Sequence, residues 1–386
     1  MSFLPYGKQY VHAEDIEAVV AVLQSDRLTS GPVVTQFEKA VAAYVGARNA
    51  VAVANGTAAL HAAMHALRIG PGDEVIVPPM TFAATANCVV FQGGTPVFAD
   101  VEPSTLLLDP ERVEERISSR TKAIVAVDYA GQPCDYEALR TIADRHGIAL
   151  VADACHSLGA TYRGEKVGTL ADLNVFSFHA VKHITTGEGG MVTTHDDTYA
   201  KRMRLFRNHG ITADFQQREK GSSWYYEIIE MGYNYRLTDF QCALGMSQLR
   251  KLDDWLAKRR RIASLYDEQL AHRDIAQPLE THADALHAYH IYVVRLAGDN
   301  GSVDRTAVFA ALRQDGIGVN VHYIPVHLHP FYRRMFGTGP GLCPVAEEAY
   351  ERILTLPIFV TMTEVDVHKV FATLAAAVES CIVGRM

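Results

Sequence analysis

The sequence has no apolar run approaching the ~18 residues that a membrane-spanning helix needs. Its amino terminus, Met1-Ser2-Phe3-Leu4-Pro5, lacks the charged-then-apolar order of a secretory signal. Basic charge is in deficit, with 36 Lys and Arg against 44 Asp and Glu and a net charge of −8. Nucleic acid and membrane surfaces both favour a basic face, so neither is expected as a partner. Cysteine is sparse: Cys88, Cys134, Cys155, Cys242, Cys343 and Cys381 form no C-x-x-C pair. They read as reduced, packed thiols of a cytoplasmic protein. Low-complexity stretches and repeats of solenoid period are missing too.

What is present is ordinary globular material, 48% hydrophobic and 21% charged. A chain of 386 residues suggests about two domains. Ile16, Val19, Val20 and Leu23 form a helical stripe, and Leu60, Ala63, Met64 and Leu67 form another that stops at Gly70-Pro71-Gly72. Short apolar runs follow at residues 75–77, 123–127, 148–151 and 175–178, with polar helix-forming segments such as 135–146 between most of them. Their composition suits strands buried on both faces. Strand, crossover helix, strand predicts an α/β protein with a mostly parallel sheet.

Near residue 250 the character shifts towards a smaller α+β domain, giving domains at 1–250 and 251–386. Thr238 and Gln241 have capping-box spacing for a long polar helix. Within it, Lys258-Arg259-Arg260-Arg261 reads as a solvated face. Beyond it a strand is expected at 291–296, a helix at 304–314 and an alternating strand at 318–323. A last helix is striped by Val367, Val370, Phe371, Leu374 and Val378.

Ligands of open parallel sheets sit at the carboxyl ends of strands, and three such places carry chemistry. The turn Asn55-Gly56-Thr57 ends a strand-like run and starts a helix, so it is either a phosphate site or a plain N-cap. Asp153 ends the strand at 148–151, where a carboxylate holds a cationic ring nitrogen or a metal, or caps the next segment. Lys182 lies in a loop of small and hydroxyl residues after Phe176-Ser177-Phe178. It is a surface lysine or a Schiff-base nucleophile, since desolvation frees the amine. Phosphate turn, strand-end aspartate, then lysine is the order of parts in a pyridoxal-phosphate enzyme.

At these residues the chain resembles the DegT/DnrJ/EryC1/StrS family of sugar-nucleotide aminotransferases, of pyridoxal-phosphate fold type I. The likeness runs from residue 5 to about 360. It is carried by the 25–32 segment, Pro79-Met80-Thr81-Phe82-Ala83-Ala84-Thr85, Asp128-Tyr129-Ala130-Gly131-Gln132-Pro133, the 153–157 and 176–190 stretches, and Gly232-Tyr233-Asn234-Tyr235-Arg236-Leu237-Thr238-Asp239. The resemblance implies a large cofactor domain and a smaller C-terminal one. Lys182 would be the Schiff-base lysine and Asp153 the partner of the pyridinium nitrogen. Phe82 would stack on the ring, His156 would sit beside it, and Gly56, Thr57 and Ser177 would hold the phosphate. Asn234 would reach the site of a second subunit, making a homodimer with shared sites. Asn55 stands where many members have Ser, and Asn caps a helix equally well.

Within the family the chain is most similar to the transaminases of pseudaminic acid biosynthesis. This implies a UDP-linked 4-keto sugar and L-glutamate as substrates. Tyr6, Asp26, Arg27, Leu28, Thr29, His322, Tyr323, Ile324 and Pro325 would line the cleft. Enzymes for 4-amino-arabinose resemble it less, since they typically carry Lys at the position of Asn234; another UDP- or dTDP-4-keto sugar, of perosamine type, is the alternative. A nicotinamide-dependent oxidoreductase would need a G-x-G-x-x-G turn that is missing. The Gly159 to Lys166 segment misplaces its lysine for a P-loop. Related sugar dehydratases replace the lysine with histidine, and a scaffold would have no use for Lys182 and Asp153 together. His322, His327 and His329 match no compact zinc spacing, so no metal is expected.

Overall fold

The computed structural model describes residues 3–213, 218, 221–297 and 303–383; Met1 and Ser2 of the amino-terminal reading lie outside them. In chain order the central strands are β1 (Asn49–Val53), β2 (Glu74–Val77), β3 (Thr95–Phe98), β4 (Thr121–Val127) and β5 (Ala149–Asp153). A side hairpin of β6 (Thr161–Tyr162) and β7 (Glu165–Lys166) precedes β8 (Leu173–Ser177) and β9 (Gly190–Thr194). The seven-stranded sheet has the order β1-β9-β8-β5-β4-β2-β3. Its pairs from β8 through β5, β4 and β2 to β3 are parallel, and β9 alone runs against its neighbours β8 and β1. The sheet is therefore mostly parallel, as the alternation predicted. The reversal follows from the β8–β9 link, a loop rather than a crossover helix.

Val51, Val53, Ile76, Val125, Val151 and Val175 are fully covered, because helices such as Gly56–Ala66 and Tyr136–His146 pack on the sheet. Register sets where chemistry can occur. Val53 lies opposite Gly190, Gly190 opposite Ser177, and Asp153 between Val127 and Val175. The carboxyl ends of β1, β4, β5 and β8 and the start of β9 therefore share one sheet edge.

A second hydrophobic cluster runs from Ile262 to Val378. Its sheet contains β10 (Ala276–Pro278), β12 (Tyr292–Leu296) and β13 (Ile353–Leu356), while β11 (Ala285–Leu286) pairs back to β6. The Arg305–Gln314 helix starts at Asp304, whose carboxylate accepts from the Thr306 and Ala307 amides at 2.8 and 3.2 Å. Val367, Val370, Leu374 and Val378 of the Glu364–Val383 helix are buried, as their spacing required. Among the described residues no helix is long and apolar enough to cross a membrane.

Three readings need correction. Residues 318–323 form no strand; Asn320 alone exchanges backbone bonds with Thr355. The side chain of Asn320 instead accepts from the Val321 amide at 2.8 Å, a local bond that competes with a ladder. The helix begun at Thr238 is two helices, Asp239–Leu249 and Leu252–Leu270, and the first is largely buried rather than polar. The capping box itself is present. The expected helix at the first stripe is present as Ala13–Leu23, with Ile16, Val20 and Leu23 outward and Asp15 turned inward onto Lys251 at 2.6 Å.

The basic run is the third correction. Arg261 is solvated, but Arg259 is fully buried and donates to the carbonyls of Tyr289, His290 and Ile358 at 3.1, 3.3 and 3.2 Å. Burial draws its pKa down to about 10, still charged at neutral pH. Its neighbour Arg260 donates to His287 O at 2.9 Å. Charge runs show only composition, and the partners here are carbonyls brought in from distant segments. Arg259→Met is expected to destabilise the fold by about 3–5 kcal/mol, since three buried carbonyls lose a charged donor. A shift of the denaturation midpoint in urea at unchanged slope checks this.

Candidate active site

A cavity of about 650 Å³ opens at the shared sheet edge, between the central sheet and the 318–323 segment. The first wall is the turn after β1. Asn55 caps the Gly56–Ala66 helix, its side chain accepting from the Ala58 amide at 2.8 Å. That leaves the amides of Gly56 and Thr57 at the positive end of the helix dipole. Gly56 is required because a Cβ there would stand 3.0 Å from the Ser177 Cβ. Gly190 is required because its Cβ would stand 2.4 Å from the Asn55 carbonyl oxygen. Two missing side chains thus let the turn lie against the ends of β8 and β9, so that helix amides and the Ser177 hydroxyl face one space.

Asp153 closes the floor from the end of β5. Its Oδ2 accepts from the Thr85 hydroxyl at 2.6 Å, and Thr85 pairs in turn with Thr81 at 2.7 Å. Oδ1 takes only a long bond from the Cys155 amide, 3.3 Å. The carboxylate is therefore fixed on one oxygen and open on the other. Thr85 was not singled out from the sequence, although Thr81 and Thr85 stand one helical turn apart in a quoted stretch.

Lys182 sits in a turn after β8, its amide bonded to His179 O at 2.9 Å. Its Nζ is 3.3 Å from His290 Nε2. Burial lowers its pKa to about 8, against the pull of Cys155 and Asp153. His156 is buried beside it, with Nε2 3.2 Å from the Tyr323 hydroxyl and Nδ1 without a partner. Burial first, and then the Lys182 charge, hold His156 well below the usual histidine range. Phe82 stands at the mouth, 62% exposed, an aromatic face left open. Tyr6 and His322 complete the rim, their rings 5.5 Å apart.

Not every expected residue arrives here. Gly56, Thr57, Phe82, Asp153, His156, Ser177, Lys182, Tyr6, His322 and Tyr323 line the cavity. Ile324 points to solvent, and Pro325 begins the short 326–328 turn. Asp26, Arg27 and Leu28 lie outside the cavity of this one chain. Thr29 is tied by a backbone bridge to Thr238, and Asn234 by another to Asn208. His290 is a lining residue that sequence reasoning missed, because its partner is 108 positions away and nothing local marks it. The three weighed histidines diverge: His322 Nδ1 meets Thr355 Oγ1 at 2.9 Å, His327 Nε2 meets Glu347 at 2.8 Å, and His329 starts the Pro330–Phe336 helix. Among the described residues no group of three His, Cys, Asp or Glu could hold a metal.

Comparison with known proteins bears on this arrangement. The sequence profile of the DegT/DnrJ/EryC1/StrS aminotransferase family matches residues 9–375. The spore coat polysaccharide biosynthesis protein SpsC of Bacillus subtilis is 42% identical over 372 residues, 95% of each chain. The putative sugar aminotransferase Spr1654 of Streptococcus pneumoniae, in its PMP form, superposes with a TM-score of 0.93 at 30% identity, covering 98% of this chain and 100% of that one. Helicobacter pylori PseC, an aminotransferase involved in the biosynthesis of pseudoaminic acid, superposes with a TM-score of 0.91 at 32% identity and the same coverage. The chain belongs to the DegT/DnrJ/EryC1/StrS aminotransferase family and is a pyridoxal-phosphate-dependent sugar aminotransferase.

Proposed function

We propose that this enzyme moves the amino group of L-glutamate to C4 of a UDP-linked 4-keto-6-deoxy-N-acetylhexosamine. The product would be UDP-4-amino-4,6-dideoxy-N-acetyl-β-L-altrosamine, a step of pseudaminic acid biosynthesis. One observation carries the reading: a buried lysine amine shares a cavity with a half-free carboxylate, a hydroxyl and unspent helix amides.

These residues fit pyridoxal phosphate. A phosphate in the cavity would lie against the Gly56 and Thr57 amides and the Ser177 hydroxyl, which the close approach at Gly56 brings together. The open oxygen of Asp153 suits a protonated ring nitrogen, and the exposed face of Phe82 suits a flat ring. The chemistry that the cofactor supplies when bound is an electron sink beside the reacting carbon. The chain supplies the rest. Lys182 Nζ would hold the cofactor; once displaced by the glutamate amine, the freed nitrogen would take the proton from Cα of glutamate and pass it to the cofactor. In the opposite half-reaction the same nitrogen delivers a proton to C4 of the sugar. An amine near neutral pKa can do both. His156, whose Nε2 lies 3.2 Å from the Tyr323 hydroxyl, would sit beside the ring. Asp153 keeps the ring nitrogen charged, as a neighbouring carboxylate does for any base.

The active unit is a homodimer in which Asn234 serves the partner's site. Large apolar groups left open on this chain support that: Trp224, Ile228 and Met231 near Asn234, and the outward stripe of Ile16 and Leu23. Asp26, Arg27, Leu28 and Thr29 join the sugar-nucleotide cleft in the same assembly. The second hydrophobic cluster, confined to residues 262–378, supports a smaller domain after about residue 250, against which the first cluster packs through residues such as Leu256, Val293 and Ile353. The enzyme works in the cytoplasm, where its unpaired cysteines stay reduced.

Likeness to PseC supports the sugar. The test is an amination assay with glutamate and 4-keto sugar nucleotides of both C5 configurations, as UDP and dTDP forms. Turnover is expected at least ~10²-fold faster with the UDP-linked β-L-arabino ketone. Turnover confined to a dTDP-linked ketone would overturn the assignment of the sugar and leave the aminotransferase class standing.

A further inference from the structure

Residues 287–290 form a strap across the site, and each of its four carbonyls is held. Arg260 takes His287 O, His183 Nε2 takes Ala288 O at 3.1 Å, and Arg259 takes both Tyr289 O and His290 O. Three of its four amides are held as well. Ala288 N donates to Gly131 O and His290 N to Ala130 O, both at 2.9 Å, and Tyr289 N donates to His287 Nδ1 at 2.8 Å. Gly131 makes this approach possible. At its φ of +108° a Cβ would lie 2.7 Å from His156 O and 2.9 Å from His290 N. Tyr289 is forced to a positive φ of 49°, a strained value for a bulky side chain.

Such a strap is over-determined, and what it presents is one imidazole. His290 is buried, its Nε2 is 3.3 Å from Lys182 Nζ, and its ring lies 4.3 Å from that of His156. Its Nδ1 is buried without a partner. A ring that packs only for volume has no need of a nitrogen aimed at the lysine.

We propose that His290 is the positioning residue of Lys182: its Nε2 lone pair accepts a hydrogen bond from Nζ, aiming the freed amine and stabilising its ammonium form. The proposal rests on Lys182 being the reacting amine. The titratable groups around Nζ are Asp153, Cys155, His156, His183 and His322 besides His290 itself. Facing His290 are Lys182, His156, His183 and Arg259; with burial they keep its ring neutral, so that Nε2 is free to accept. Loss of an acceptor that favours the charged form favours the neutral amine.

The test uses the cofactor-free full-length enzyme. Trace acetylation of Lys182 is followed by mass spectrometry as a function of pH in the parent, His290→Phe and His290→Gln. In His290→Phe, labelling at pH 7 is expected to rise about three- to tenfold, with its pH midpoint displaced downward. His290→Gln, whose amide oxygen replaces the acceptor, is expected to restore the parent profile. If the phenylalanine variant does not fold, His290→Asn, too short to reach Nζ, takes its place with the same expectation. A profile unchanged by Phe or Asn, or a Gln profile that matches theirs, would overturn the role. Borohydride fixation of the cofactor on another residue in the parent would instead refute Lys182 as the reacting amine, a separate result.

Discussion

Lys182→Ala is expected to lower the transamination rate at least ~10⁴-fold and to leave no cofactor fixed to the chain after borohydride reduction. Both effects come from one atom. In the parent, burial sets the Nζ pKa at about 8, so about a tenth of the amine is free base at pH 7. An ordinary lysine, with a pKa about two units higher, offers less than about a thousandth. Alanine removes the attachment and the proton carrier together. The pocket survives, because the 178–189 loop is held by other bonds: Thr186 N to Phe178 O at 3.0 Å, and Thr185 N to Gln248 Oε1 at 3.0 Å. The variant should therefore still bind cofactor non-covalently. Single-turnover absorbance with glutamate and borohydride peptide mapping check the two halves; parent-like turnover would refute the mechanism.

Asp153→Asn is the second large effect, expected to cost on the order of 10³ in kcat. The amide keeps the shape and can still accept from Thr85, so the fold should persist. It lacks the negative charge that raises the basicity of a facing ring nitrogen by roughly 1–3 pKa units. The absorbance of bound cofactor should become pH-dependent near neutrality, whereas that of the parent stays constant there. Equal kcat in the two proteins would show that Asp153 only packs.

The legible part of this enzyme was local. The strand runs of the central sheet, the Asn55 cap, the Thr238–Gln241 box and the stripe of the last helix each depend on neighbours within four positions, and these appear in the structure. The strand-end rule also placed Asp153 and Ser177 at one edge, because register follows from burying those runs. What stayed hidden needed distant partners. Arg259 reads as surface charge until three carbonyls from 30 to 99 positions away are seen to converge on it. His290 looks like a linker residue until the strap folds over Gly131. The outward face of Ile16 and Leu23 misleads a reading that assigns every apolar stripe to the core of its own chain.

The buried guanidinium of Arg259 also limits how the enzyme can open. It bonds at once to the strap beside Lys182 and to Ile358, a member of the second hydrophobic cluster. Parting the two clusters at this point would strand an unpaired cation away from water, which costs several kcal/mol. The interior is therefore bolted on the lysine side, whereas Phe82 stands 62% exposed at the mouth of the cavity. Turnover should accordingly be limited by side-chain and loop movement at that gate more than by a swing of one half of the molecule against the other.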